Sequence, residues 1–123
     1  MNNIDYLHDL FASFGAVTLR KMFGGHGIYS DGLMFGIVAD GEIFLKVDDE
    51  TRSAFEKAGS RPFTYLAKDK PVEMAYWRLP DSAADDPDET AYWARLAKQA
   101  AMRAQAVKKT ATKKRGRKGA AVA

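Results

Sequence analysis

Two Asp-Gly dipeptides, Asp31-Gly32 and Asp40-Gly41, each separate two runs of apolar and β-forming residues. Asp-Gly suits the central positions of a tight hairpin because both residues tolerate positive φ. Gly27 to Ser30, Leu33 to Ala39 and Glu42 to Asp48 therefore read as three antiparallel strands in a meander. Ile43, Leu45 and Val47 share one face of the third strand, with Glu42, Phe44, Lys46 and Asp48 on the other. Leu33 to Ala39 is nearly unbroken in its apolar character, as in a strand covered on both sides or one with a weakly polar outer face. Upstream, Thr18 to Gly24 looks extended and is interrupted at Gly24-Gly25.

Helical periodicity brackets this meander. Ile4, Leu7, Leu10, Phe11 and Phe14 recur at three- and four-residue steps, with Asn2 or Asn3 as the cap and Gly15 as the stop. Asp48 or Asp49 is placed to cap a short helix to about Ala58, with Phe55 inward and Gly59 ending it. Pro62 to Leu66 and Val72 to Leu79 are two further extended segments, with Lys68-Asp69-Lys70-Pro71 as their turn. Asp85-Asp86-Pro87 opens a last helix with acids at its positive end. Tyr92, Trp93, Leu96, Ala97, Ala100, Ala101 and Ala104 form its apolar stripe. The expected order is α-β-β-β-α-β-β-α: an α+β domain with a five-stranded antiparallel sheet and helices on one face.

Charge divides the chain unevenly. Residues 1–106 hold 12 Lys and Arg against 16 Asp and Glu, a balance of −4. Residues 107–123 hold Lys108, Lys109, Lys113, Lys114, Arg115, Arg117 and Lys118 with no acid, a balance of +7. The pI of about 9.2 thus belongs to the last residues and not to the body. That stretch contains too little apolar surface to offset ordering its backbone, so the sequence predicts a 1–106 domain and a disordered basic tail over 107–123. Seven flexible cations suit the phosphate backbone of DNA or RNA, and the lack of interleaved aromatics argues against base readout by that tail. There is no cysteine, so disulfides and thiolate zinc sites are excluded. The N-terminus lacks the pattern of a signal peptide, and no run approaches the roughly 18 apolar residues of a membrane span. The expectation is a cytoplasmic protein without a membrane partner.

Arg20-Lys21-Met22-Phe23-Gly24-Gly25 with Gly27-Ile28-Tyr29, followed by Met34-Phe35-Gly36, resembles the N-terminal domain of the TfoX/Sxy family. The likeness continues through Leu45-Lys46-Val47-Asp48, Pro62-Phe63, Tyr65, Met74, Tyr76-Trp77 and Trp93-Ala94, covering about residues 1–106. The resemblance implies a fold similar to type III secretion chaperones. It also implies kinship with regulators of bacterial natural competence, which act with the cyclic-AMP receptor protein on DNA-uptake genes. Full-length family members carry a second, C-terminal domain, and the expectation here is a stand-alone N-terminal domain with the basic tail in that place. The resemblance brings no catalytic residue and no cofactor.

Read on their own, the chemistry-bearing residues form no catalytic set. His26 has only His8 as a second histidine, too few for a histidine ligand set. The Gly24-Gly25 pair near Arg20 and Lys21 can cradle an anion, but a bulge or close strand crossing is the ordinary use of such glycines. Asp48, Asp49 and Glu50, like Asp85, Asp86, Asp88 and Glu89, sit at helix starts, where the dipole favours acids. Met22, Met34 and Met74 with Phe23, Phe35 and Tyr76 suit either a ligand groove or core packing. The leading expectation is a non-enzymatic regulatory or adaptor module, whose body binds a protein and whose tail adds unspecific nucleic-acid affinity. A second reading is a small-ligand or weakly catalytic cleft at Arg20, Lys21, His26 and Tyr29. A third is a structural homodimer joined by a sheet edge or the last helix.

Overall fold

The computed structural model describes residues 5–22 and 25–122, except the side chains of 65–67, 71–73 and 108–122. Its elements are α1 (Asp5–Leu10), β1 (Thr18–Met22), β2 (Gly25–Ser30), β3 (Leu33–Ala39), β4 (Glu42–Lys46), α2 (Arg52–Lys57), β5 (Pro62–Ala67), β6 (Lys70–Arg78) and α3 (Pro87–Val122), with one 3-10 turn at Asp81–Ala83. The strands form one antiparallel sheet in the order β1-β2-β3-β4-β6-β5. The sheet therefore has six strands and not the expected five. The extra one is β1, whose Thr18 to Met22 pair with Tyr29 to Gly25 as the outer arm of a hairpin. Phe23 and Gly24, between its arms, lie outside the described residues, as do the cap candidates Asn2 and Asn3.

Local chemistry sets the turns as the dipeptides require. Asp31 and Gly32 take φ of 53° and 78°, and Asp40 and Gly41 take 52° and 76°. Both pairs occupy the left-handed region that a two-residue hairpin with right-twisted strands demands. The β5–β6 turn is tighter than the expected four residues. Lys68 and Asp69 alone turn the chain at φ of 53° and 65°, and Lys70 already pairs with Ala67. The last helix starts as its acids predict: the Asp86 carboxylate accepts from the Asp88 and Glu89 amides at 3.0 and 3.2 Å, with Pro87 in the first turn. Helix α2 ends at Gly59 (φ 80°), where Ser60 N–H donates to Phe55 and Gly59 N–H to Glu56, the two bonds of a Schellman cap. Its start differs from expectation, since Asp48 shapes the turn before Thr51 instead of capping the helix directly.

An irregularity decides which residues enter the core. Between Ile28–Gly36 and Tyr29–Met34 the β2–β3 register slips, leaving Phe35 as an extra residue on β3. Such a bulge turns two successive side chains toward one face. Leu33, Phe35 and Val38 accordingly face the helices and pack into the core with Ile28, Ile43 and Leu45. Phe35 meets Phe11 edge-on at 5.8 Å and Phe14 at 5.2 Å, and Phe55 from α2 lies 4.7 Å from Trp93 of α3. Each such aromatic pair contributes about 0.5–1.5 kcal/mol beyond its area burial. All three helices thus share one side of the sheet.

Helix α3 is the longest element among the described residues. Its backbone is helical to Val122. Alanine, lysine and arginine propagate a helix already begun, while Thr110, Thr112 and the valines are weaker formers and Gly116 and Gly119 cost about 1 kcal/mol each. At 1.5 Å per residue the helix is about 54 Å long. Ala104 to Val107 are exposed, so it has left the sheet by that point.

Gly25 is required where β2 starts. A Cβ there would lie 2.1 Å from the Val38 carbonyl oxygen, a backbone atom with no rotamer to yield. The close-crossing reading of the glycine pair therefore holds for this residue. Gly25→Ala is expected to destabilise the domain by about 2–3 kcal/mol, read as a lower urea midpoint with an unchanged slope. Gly32→Ala is the comparison for positive-φ strain alone, since nothing lies within 4 Å of its Cβ position.

Candidate functional site

The side of the sheet away from the helices carries Phe44 and Tyr76 buried and its other described residues partly or fully exposed, and its residues follow from the strand registers. Cross-strand partners share a face, so Tyr29, opposite Thr18 and Met34, and Lys46, opposite Tyr76, stand on it. Arg20, opposite Gly27, and Ile37, opposite Gly27 and Phe44, complete a second row. The Arg20 guanidinium lies over the Tyr29 ring at 5.6 Å and the Lys46 ammonium over the Tyr76 ring at 5.2 Å. Phe44 meets Phe63 at 4.9 Å. Gly27 makes room for this arrangement: a Cβ there would stand 2.9 Å from the Met34 sulfur, 2.9 Å from the Tyr29 ring and 3.0 Å from the Met22 sulfur. Burial pushes the Tyr76 hydroxyl above its usual pKa of 10.0, and neighbouring Tyr29 adds to the effect.

The residues singled out in the sequence do not form one cleft. Arg20 and Tyr29 stand together on the open face, whereas Lys21 pairs with His26 and shares its face with Leu19 and Ile28. Ile28 belongs to the core, so Lys21 and His26 lie on the helix side. The sheet separates the two pairs. The methionine group divides in the same way: Phe35 enters the core, while Met22 and Met34 meet over Gly27 on the open face. Among the described residues no cluster of three His, Cys, Asp or Glu could hold a metal. No helix among them is long and apolar enough to cross a membrane. The side chains of Lys108, Lys109, Lys113, Lys114, Arg115, Arg117 and Lys118 lie outside the described residues.

Two depressions flank the strand ends. One, of about 140 Å³, is lined by Tyr6, Glu42, Arg78 and Asp81. Its charges are already paired, with Arg78 donating to Glu42 at 2.8 Å and to Asp81 at 3.3 Å. The other, of about 280 Å³, is lined by Leu33, Met34 and Lys46 of the sheet and by Ala101, Ala104 and Gln105 of α3.

Ion pairs hold α3 at that same end of the sheet. Lys98 donates to Asp31 at 2.6 Å and to Ser30 at 3.0 Å, beside the β2–β3 turn. Arg103 donates from Nε and Nη2 to the two Asp48 oxygens at 2.7 and 3.1 Å, with Glu50 at 3.1 Å. Sequence reasoning assigns Asp48 to helix capping and has no signal for a partner 55 residues away. The Arg103 hydrogen bond is the main cause that holds the Asp48 carboxyl below its usual 3.8, opposed by burial. Since the folded value lies below the unfolded one, the stabilisation is present above pH 4 and is lost as pH falls through the depressed value. Arg103→Ala is expected to cost about 1 kcal/mol at pH 7. That difference should shrink in acid unfolding curves below pH 3.8.

The family model for the TfoX N-terminal domain matches residues 9–101. DNA transformation protein TfoX1 of Aliivibrio fischeri is 28% identical over 78 residues, covering 60% of this chain and 37% of that protein. Protein Sxy of Escherichia coli is 26% identical over 74 residues, covering 60% of this chain and 35% of its own length. The chain thus spans little more than a third of either relative.

Proposed function

The chain belongs to the TfoX N-terminal domain family, and from that membership we propose that it is a regulatory or adaptor module that acts by binding. The observation that carries the reading is the family match across the whole sheet and the first turns of α3. A relative named as a DNA transformation protein favours a role in gene regulation or DNA uptake. The charge division supports two tasks: residues 1–106 recognise a protein partner, and residues 107–123 add unspecific affinity for nucleic acid.

The second task has a definite physical signature. Each phosphate neutralised on duplex DNA contributes about −0.9 to the slope of log affinity against log salt. Mobility-shift titrations should compare the intact chain with a full-length variant carrying glutamine at the seven basic positions from Lys108 to Lys118. The intact chain is expected to retard duplex DNA at low salt with a slope of about −4 to −6, and the variant to lose that retardation. Equal binding by both, or none by either, would contradict the assignment.

A further inference from the structure

We propose that the open sheet face docks an acidic peptide segment of a protein partner. One apolar side chain of that segment enters the 280 Å³ hollow, and its carboxylates meet Lys46 and Arg20. The proposal rests on the reading that the body recognises a protein, and it names the chemistry of what is recognised.

Charge complementarity selects the occupant. The body carries an excess of acids, 16 against 12 basic residues, yet on this face Arg20 and Lys46 make no ion pair among the described residues. Both instead lie over tyrosine rings, contacts that hold the cations in place until a carboxylate takes them. Glu42, the acid on the same face of β4, is already held by Arg78. Around the two cations the surface is formed by Met22, Tyr29, Met34 and Ile37, all partly buried. Thioether side chains adapt to an incoming apolar group. The hollow adds an anchor point, with Leu33, Met34, Ala101 and Ala104 as its apolar walls and Lys46 at the rim.

Two other occupants fit less well. Single-stranded nucleic acid would stack on open ring faces, but Phe44 and Tyr76 are only 7% and 8% exposed and the Tyr29 ring is already faced by Arg20. A second copy of this chain, face to face, would set Arg20 and Lys46 against the same cations, and like charges across an interface oppose association.

The test uses the full chain with ¹³C-labelled methionine methyls, assigned by single Met→Leu variants. The probes are a synthetic peptide of alternating Leu and Glu pairs, its Gln-for-Glu counterpart and oligothymidylate. The acidic peptide is expected to shift the Met22 and Met34 signals saturably while Met102, exposed on α3, stays in place. The Gln peptide, and the variants Lys46→Glu and Arg20→Glu, should each weaken binding about tenfold. Lys46→Gln serves as a milder variant should the reversal disturb folding. Unmoved methyls, equal binding of the Gln peptide, or movement of the same methyls by oligothymidylate would overturn the proposal. The mobility-shift comparison of the basic residues reports on the nucleic-acid task separately.

Discussion

The extra residue that β3 carries opposite Ile28 and Tyr29 determines how the sheet is used. A strand alternates its side chains with a period of two, so a strictly regular β3 would send Phe35 and Val38 to opposite sides. The bulge brings both to the helix side, where Phe35 joins Phe11 and Phe14 and Val38 packs opposite Ile43. Met34 and Ile37 are left to the other side. One local slip thus supplies the core with its central phenylalanine and the open face with its apolar lining.

Helix α3 is the second element on which the arrangement depends. Trp93, Ala94, Ala97 and Ala101 bury against the sheet, and the small alanines let the helix lie close to it. Lys98 and Arg103 then fasten it to two chain reversals, one at Asp31 and one at Asp48. Both anchors lie near the end of the sheet where α3 departs, so the hollow beside Lys46 and the start of the basic segment are held at one end of the molecule.

The meander was legible because Asp31-Gly32 and Asp40-Gly41 leave a backbone little choice. The caps were legible at Asp86-Pro87 and at Gly59 for the same local reason. Strand β1 was harder to delimit. Its residues show no clean alternation, since Arg20, Lys21 and Thr18 are exposed on an edge strand, and Gly24-Gly25 hides the return into β2. The Lys68-Asp69 turn was missed as a two-residue loop because neither residue advertises positive φ as glycine does. The bulge had no sequence signal at all: a continuous apolar run reads the same with or without a slip.

The candidate site was legible in its residue types more than in its geometry. Arg20 and Tyr29 do meet, but Lys21, next to Arg20 in sequence, and its cross-strand partner His26 lie on the opposite side because side chains alternate along a strand. Lys46 and Tyr76 come from strands separated by α2 and β5, a pairing that only the sheet order reveals. The central claim is a two-sided sheet, packed under the helices on one side and only partly covered around Ile37 on the other, and neighbouring residues of β3 test it most directly. Urea unfolding of Ile37→Lys and Val38→Lys should give a loss of about 1 kcal/mol or less for the first and at least about 3 kcal/mol for the second. Equal losses at the two positions would mean that the face assigned as open is covered, and would contradict the account.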